Sequence, residues 1–143
     1  MMILWHKESI TALIFQDFLT GFFNSEEELF PWLQLKLGRE KVVSSVTIVN
    51  RIDSLGATLA NLEIRSGYTE LRNISGTERI TSNDICGRFV GPGQNGQIYT
   101  IDCDVPIPSK YVTFQIVPNV TSSNVLKKTV LQLNEVKINE LII

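Results

Sequence analysis

From residue 32 onward the chain alternates apolar and polar side chains with a period of two. Leu33, Leu35 and Leu37 alternate with Gln34 and Lys36 between Trp32 and Gly38, and Val46 and Ile48 extend the alternation through the β-branched stretch Val42 to Asn50. Leu62 and Ile64 alternate with Glu63 and Arg65, and Val112, Phe114 and Ile116 with Thr113 and Gln115. Gln97 to Cys103, with Ile-Tyr-Thr-Ile at its centre, reads as a further strand. Successive side chains of a strand point to opposite faces, so segments of this kind bury one face and leave the other in water. Helical periodicity is hard to find after residue 30. Short strands punctuated by Gly, Pro, Asn and Ser predict an all-β protein, an antiparallel sandwich with Trp32 buried near the start of its sheet.

Near the end of the chain the alternation changes parity. Leu131 and Leu133 occupy odd positions, whereas Val136 and Ile138 occupy even ones, so the flip falls at Asn134-Glu135. A β-bulge at that pair restores a single apolar face; two short strands joined by a kink would do the same. Before residue 30 the pattern is less regular: Glu26-Glu27-Glu28 reads as a solvated acidic run, and Phe15, Phe18, Phe22 and Phe23 as core or loop anchors.

Composition narrows the function classes. A length of 143 residues, 43% hydrophobic and 20% charged, suits one domain over 1–143 that buries roughly 70% of its unfolded surface. Thirteen Lys and Arg against fifteen Asp and Glu give a formal charge of -2 without a basic cluster, which argues against nucleic acid as a partner. The apolar runs fall far short of the roughly 20 residues that cross a bilayer, so no membrane insertion is expected. The start, Met-Met-Ile-Leu-Trp-His-Lys-Glu, lacks the regions of a secretory signal. His6 is the one histidine, and with Cys86 and Cys103 far downstream it offers neither a zinc ligand set nor a nucleophile-base pair. Gly91-Pro92-Gly93-Gln94-Asn95-Gly96 lacks the Lys-Ser/Thr of a phosphate-cradling loop. Catalysis is therefore not expected.

Cys86 and Cys103 bracket that glycine-rich turn. They are either bridged across it, a closure contributing on the order of 3 kcal/mol, or a pair of buried thiols. Two glycosylation sequons, Asn73-Ile74-Ser75 and Asn119-Val120-Thr121, favour an oxidising compartment.

Three segments carry a resemblance. Pro31-Trp32-Leu33-Gln34-Leu35-Lys36-Leu37-Gly38, then Val46-Thr47-Ile48-Val49-Asn50-Arg51-Ile52-Asp53, and the ending Leu131-Gln132-Leu133-Asn134-Glu135-Val136-Lys137-Ile138 resemble the F-type lectins (fucolectins). Those proteins show Pro-Trp-Trp-x-Val-Asp-Leu-Gly, Val-x-Ile-x-Asn-Arg-x-Asp and Leu-x-Leu-Cys-Glu-Val-x-Val at matching places. The resemblance extends over residues 31–138 and includes the Cys86 to Cys103 spacing, which looks like a family disulfide. It implies a secreted, non-catalytic module, a jelly roll of discoidin-like type that binds fucosylated glycans at one end. It also implies a structural calcium ion.

The family's sugar motif is a His, then Arg-x-Asp, then Arg or Lys after four more residues. Arg51 and Asp53 match its centre, the position of the second cation holds Thr58, and the region of the His holds Asn24, Ser25 and Glu26. Arg51 either donates to the sugar or pairs with Asp53 or another carboxylate at the base of the loop. For calcium, Glu135 matches the family's Glu, Asn134 replaces its Cys, and Asp17 is the early-loop carboxylate. The alternative reading is a lectin-derived protein-interaction or structural module without the sugar site. Weak single-site affinity makes several copies useful, which leaves oligomerisation open.

Overall fold

A computed structural model of the chain describes residues 2–4, 11–13, 23–24, 30–72, 74, 81–117 and 129–142. Two long strands organise it. β4 (Trp32–Val49) and β7 (Ile98–Ile116) run antiparallel, paired from Trp32 opposite Gln115 to Val49 opposite Ile98. Register shifts between Lys36 and Lys41 and between Val43 and Ser45 interrupt the ladder, and such irregularities let a strand bend and pass from one layer of a sandwich to the other.

The other strands divide between the two halves of this pair. β5 (Leu62–Gly67) lies along the Tyr111–Ile116 half of β7, and β6 (Asp84–Phe89) lies outside β5. β1 (Met2–Leu4) runs parallel to Gln34–Lys36 on the far side of β4. In the other half, β9 (Glu135–Glu140) pairs with Val43–Val49 of β4, and β2 (Thr11–Leu13) with β9. β3 (Phe23–Asn24) and β8 (Gln132–Leu133) form a separate two-stranded ribbon.

The sheet closes over its own core. β6, at one edge, meets the opposite half of β7 through the Cys86–Cys103 disulfide and through the Phe89 and Tyr99 rings, whose centroids are 4.4 Å apart. Leu33, Leu35, Val46, Ile48, Leu62, Ile64, Val112 and Phe114 from both halves form one buried cluster with the two cysteines. Full burial of a side chain of that size stabilises by about 1.5–3 kcal/mol. The alternation in the sequence therefore reports the inward face, and the all-β antiparallel sandwich is what the chain forms, with the β1–β4 pair as a parallel exception.

Four local expectations change. The segments 32–38 and 42–50 are one strand, because exposed Gly38, Arg39 and Glu40 are absorbed in the ladder as an irregularity instead of a turn. The segments 97–103 and 112–116 merge in the same way around Asp104, Val105 and Pro106. Trp32 is half-buried, not buried, since it lies on the face opposite Leu33. The parity change near the end is met by two strands separated at Asn134 with a change of partner, from β3 to β4, and not by a bulge within one ladder. The sequon Asn119-Val120-Thr121 lies outside the described residues, as do Asn73 and Ser75 of the other.

Closing a loop with a sequence separation of 17 contributes about 3 kcal/mol by the chain-entropy account. Cys86→Ser/Cys103→Ser is expected to lower the unfolding free energy by about that amount in a urea melt, and a non-reducing peptide map of the native protein is expected to show the two cysteine peptides joined. Free thiols in the folded protein would contradict the bridge.

Candidate functional site

β4 ends at Val49, β5 begins at Leu62, β6 ends at Phe89, β7 begins at Ile98 and β9 begins at Glu135. The antiparallel pairings therefore bring the loops 50–61 and 90–97 to the same end of the sandwich. Asn50 fastens them together. Its side chain is fully buried and uses its whole amide: Nδ2 donates to the carbonyls of Gly56 and Gln94, both at 2.9 Å, and Oδ1 accepts from the Arg51 N–H at 2.9 Å. Its own N–H donates to Gln97 O at 3.0 Å.

Further bonds run between the loops. Gly96 N donates to Arg51 O at 2.7 Å and Gly93 N to Leu59 O at 2.8 Å, while Asn95 Oδ1 accepts from Gly56 N at 2.5 Å. This approach leaves no room for side chains at two positions. A Cβ on Gly56 would stand 2.6 Å from Asn95 N, and one on Gly93 would stand 2.7 Å from Asn50 Nδ2. Ser54, at the tip of the first loop, has φ 74, a left-handed conformation that costs a non-glycine residue about 1 kcal/mol or more.

On this base sit Arg51 and Asp53. The guanidinium donates through Nε and Nη2 to the two carboxylate oxygens of Asp53, a forked ion pair. The Arg51 side chain is 7% exposed and that of Asp53 is 38% exposed. Water therefore meets the acceptor side of the pair. The hydrogen bond from Arg51 holds the Asp53 carboxyl below the usual carboxylate range, against a smaller opposing effect of desolvation. Ile52 and Leu55 flank the pair as exposed apolar side chains. The arrangement offers a fixed, ionised acceptor beside hydrocarbon surface.

The other expected residues fall differently. Thr58 closes the 3-10 turn Gly56–Thr58, donating through Oγ1 to Leu55 O at 2.9 Å. Its short hydroxyl is thereby committed to its own turn, at the position where the resemblance leads one to expect a cation. Glu135 opens β9 opposite Val49, and Asn134 N donates to Val49 O at 2.9 Å, so this carboxylate belongs to the same end of the sandwich. Asp17 lies outside the described residues, as do Ser25, Glu26 and His6, while Asn24 pairs with Gln132 in the β3–β8 ribbon. Among the described residues no three of His, Cys, Asp and Glu converge on one point.

Asn50 belongs to the Asn-Arg-x-Asp segment, but its role in holding the two loops together, like that of Asn95, carries no local mark. Nothing local marks a partner 39 or 44 residues away; the density of glycine in Gly91–Gly96 was the one visible sign of a close approach. A cleft of about 390 Å³ beside these loops is lined by Phe89, Gly91, Pro92, Gln94, Gln97 and Tyr99, and Tyr99 Oη accepts from Gln94 N at 2.8 Å.

No protein-family model and no curated protein sequence matches the chain. Solved structures do match it. An F-lectin (fucolectin) from striped bass (Morone saxatilis) serum superposes with a TM-score of 0.68 at 20% identity, over 94% of this chain and 47% of that one. The lectin domain of lectinolysin, complexed with Lewis B antigen, gives 0.59 at 19% identity over 85% and 72% of the two chains. A Streptococcus pneumoniae fucose-binding module gives 0.60 at 13% identity over 96% and 97%. The chain thus spans about half the length of the striped bass protein. Likeness at these identities establishes the fold, the discoidin-like β-sandwich.

Two measurements check the geometry of the site. Asn50→Asp keeps the size of the side chain but turns an oxygen toward two carbonyls; it is expected to destabilise the protein by about 2–4 kcal/mol in a denaturant melt. A wild-type midpoint in that variant would contradict the role of Asn50. In an NMR titration the Asp53 carboxyl is expected below 3.8, rising in Arg51→Gln. Since the folded value is the lower one, the contribution of the pair is fully present above the ordinary Asp pKa and disappears as pH falls through the folded value.

Proposed function

We propose that the protein is a non-catalytic carbohydrate-binding module that takes fucosylated glycans at the Arg51 end of the sandwich. The observation that carries this reading is the forked Arg51–Asp53 pair, set on loops locked by Asn50 and flanked by exposed Ile52 and Leu55. A sugar ring presents hydroxyl groups on its edges and C–H surface on its faces. An ionised carboxylate held in a fixed orientation accepts from such hydroxyls, and the apolar pair receives the methyl group and C–H face of fucose. Arg51 acts here as the group that orients Asp53 and keeps it charged, with its guanidinium the donor expected from the resemblance. The lectinolysin domain bound to Lewis B antigen and the fucose-binding module of S. pneumoniae share this fold, which supports the choice of ligand class. The disulfide supports an extracellular setting.

One observation favours a second reading, a module that binds protein after losing its sugar site. The Arg51 side chain is almost wholly buried against Asp53, Thr58 stands in place of a second cation, and Ile52 is 73% exposed. An exposed branched aliphatic side chain at a loop tip suits a protein partner as well as a sugar methyl group.

A glycan array separates the two. Wild-type protein is expected to bind fucosylated structures, and Arg51→Ala and Asp53→Asn to lose about tenfold or more, the effect of one charge-assisted hydrogen bond. Silence on all fucosides by folded protein would sink the sugar reading in favour of the second. Structural calcium at Glu135, which the resemblance also implies, is tested by melting in calcium and in chelator. A rise in calcium that Glu135→Gln abolishes supports it, and equal midpoints for metal-free protein remove it.

A further inference from the structure

The Arg51 loop leaves a second polar cluster at the same end of the sandwich without a role. Glu63 on β5 and Arg88 on β6 are opposite one another in the ladder. The Glu63 side chain is 7% exposed, and its carboxylate accepts from Arg65 Nε at 2.6 Å and from Arg88 Nε at 3.1 Å. Arg65 is consumed within the fold, since its Nη1 also donates to Asn83 O at 2.8 Å and Thr81 O at 3.2 Å. Arg88 is not. Its side chain is 62% exposed and held through Nε alone, and its terminal nitrogens make no hydrogen bond among the described residues. Two guanidinium groups around one carboxylate leave the cluster with one net positive charge.

That charge lines an open cleft of about 320 Å³, whose other walls include Asn61, Phe89, Val90 and Val117. Asn61 is held at φ 56 by its backbone, with N–H donating to Val90 O at 3.0 Å and O accepting from Val117 N at 2.9 Å. Its carboxamide makes no hydrogen bond among the described residues, so a donor and an acceptor remain for a ligand. Phe89 is braced by Tyr99, and Val90 is exposed beside it. The same Phe89 lines the cleft next to the Arg51 loops, so the two depressions share a wall.

We propose that this cleft is a second binding site, specific for a sugar residue carrying a carboxylate or sulfate group. The guanidinium fork of Arg88, fixed through its Nε by a buried carboxylate, meets the anionic group in bidentate fashion. Its orientation is set before the ligand arrives, which lowers the cost of binding. The Asn61 carboxamide takes a neighbouring hydroxyl, and Phe89, Val90 and Val117 pack against the C–H face of the ring. The volume is at the small end of ligand clefts, which start at about 300 Å³, and suits one or two sugar rings. The choice of a sugar over an acidic peptide rests on the reading of the chain as a carbohydrate-binding module; the anionic requirement rests on the cleft.

The test is an NMR titration of the whole chain, following backbone amides, with methyl glucuronide, glucose 6-sulfate, methyl glucoside, N-acetyl-aspartate and acetate. Shifts are expected at Asn61, Phe89, Val90 and Val117 with the uronide or the sulfated sugar, about fivefold tighter than with the neutral glucoside, as for one exposed charge-assisted pair. The arm that responds more tightly identifies which anionic group the site takes. Arg88→Gln, an exposed substitution, is expected to remove the difference, and Arg51→Ala to leave it intact. Equal response to the neutral sugar, no response to either anionic sugar, or a full response in Arg88→Gln would overturn the proposal. Acetate or N-acetyl-aspartate binding as tightly as the uronide would also overturn it, by showing an anion or peptide site without sugar selectivity. Because the two sites rest on different residues, absence of fucose binding by the wild-type protein with retention of these shifts sinks only the first site, and fucose binding without these shifts sinks only the second.

Discussion

The antiparallel pairing of β4 with β7 is the constraint on which the rest of the molecule depends. Eighteen residues of one strand and nineteen of the other are too long to lie flat in one layer, and the two register shifts bend them into both layers. The shifts also reset which side chains face inward. Leu33, Leu35, Leu37 and Val43 are buried at odd positions before the second shift, and Val46 and Ile48 at even positions after it. A period-two strand can change parity and keep a single core only by such a slip. With the bend in place, β5 and β6 extend one layer and β9 extends the other, and the disulfide closes the edge left open between β6 and β7.

The same pairing creates the end of the sandwich that carries Arg51 and Asp53. It delivers the last residue of β4 and the first of β7 side by side, opposite one another as Val49 and Ile98, so the loops that follow and precede them must share space. Asn50 resolves that crowding with three side-chain hydrogen bonds, and glycine at 56 and 93 allows the backbones to touch. A buried amide with every group satisfied is costly to disturb, which makes the base under Arg51 and Asp53 rigid. Such rigidity suits the proposed sugar site, because few contacts would be made and little affinity would remain to order the loop. The Glu63–Arg88 pair repeats the principle on the neighbouring strands: a buried carboxylate positions a guanidinium that water can reach.

The parts of this architecture that were legible in the sequence are those governed by local periodicity. Leu62, Ile64, Val112, Phe114 and Ile116 face the core as the alternation required. The flip between Leu133 and Val136 was also visible, although the chain meets it with a break at Asn134. The matching flip between Val43 and Val46 was hidden, since the doublet Val42-Val43 fits either parity. Strand lengths were not legible because Gly38-Arg39-Glu40 and Asp104-Val105-Pro106 look like turns and act as irregularities in continuous ladders. β6 escaped notice because Asp84–Phe89 is an edge strand with only Cys86 fully buried. Within the site, Arg51 and Asp53 stand out as a motif, and their mutual pairing is one of the two readings the residues allow. Asn50 stands beside them in the same motif without a role of its own, and Asn95 has no signal, since what each does depends on partners from the other loop. Arg88 was equally silent, because its surroundings are assembled from three strands.

The central claim is that the loops 50–59 and 91–97 form one preorganised sugar-binding surface. The most direct measurement is the map of backbone amide shifts when the whole protein is titrated with L-fucose to tens of millimolar, about the range expected of a single weak site. The account expects saturable shifts at Arg51 to Thr58 and at Gly93 to Gln97, with the strand amides unmoved. Shifts gathered elsewhere on the sandwich, or none at saturating sugar in folded protein, would contradict it.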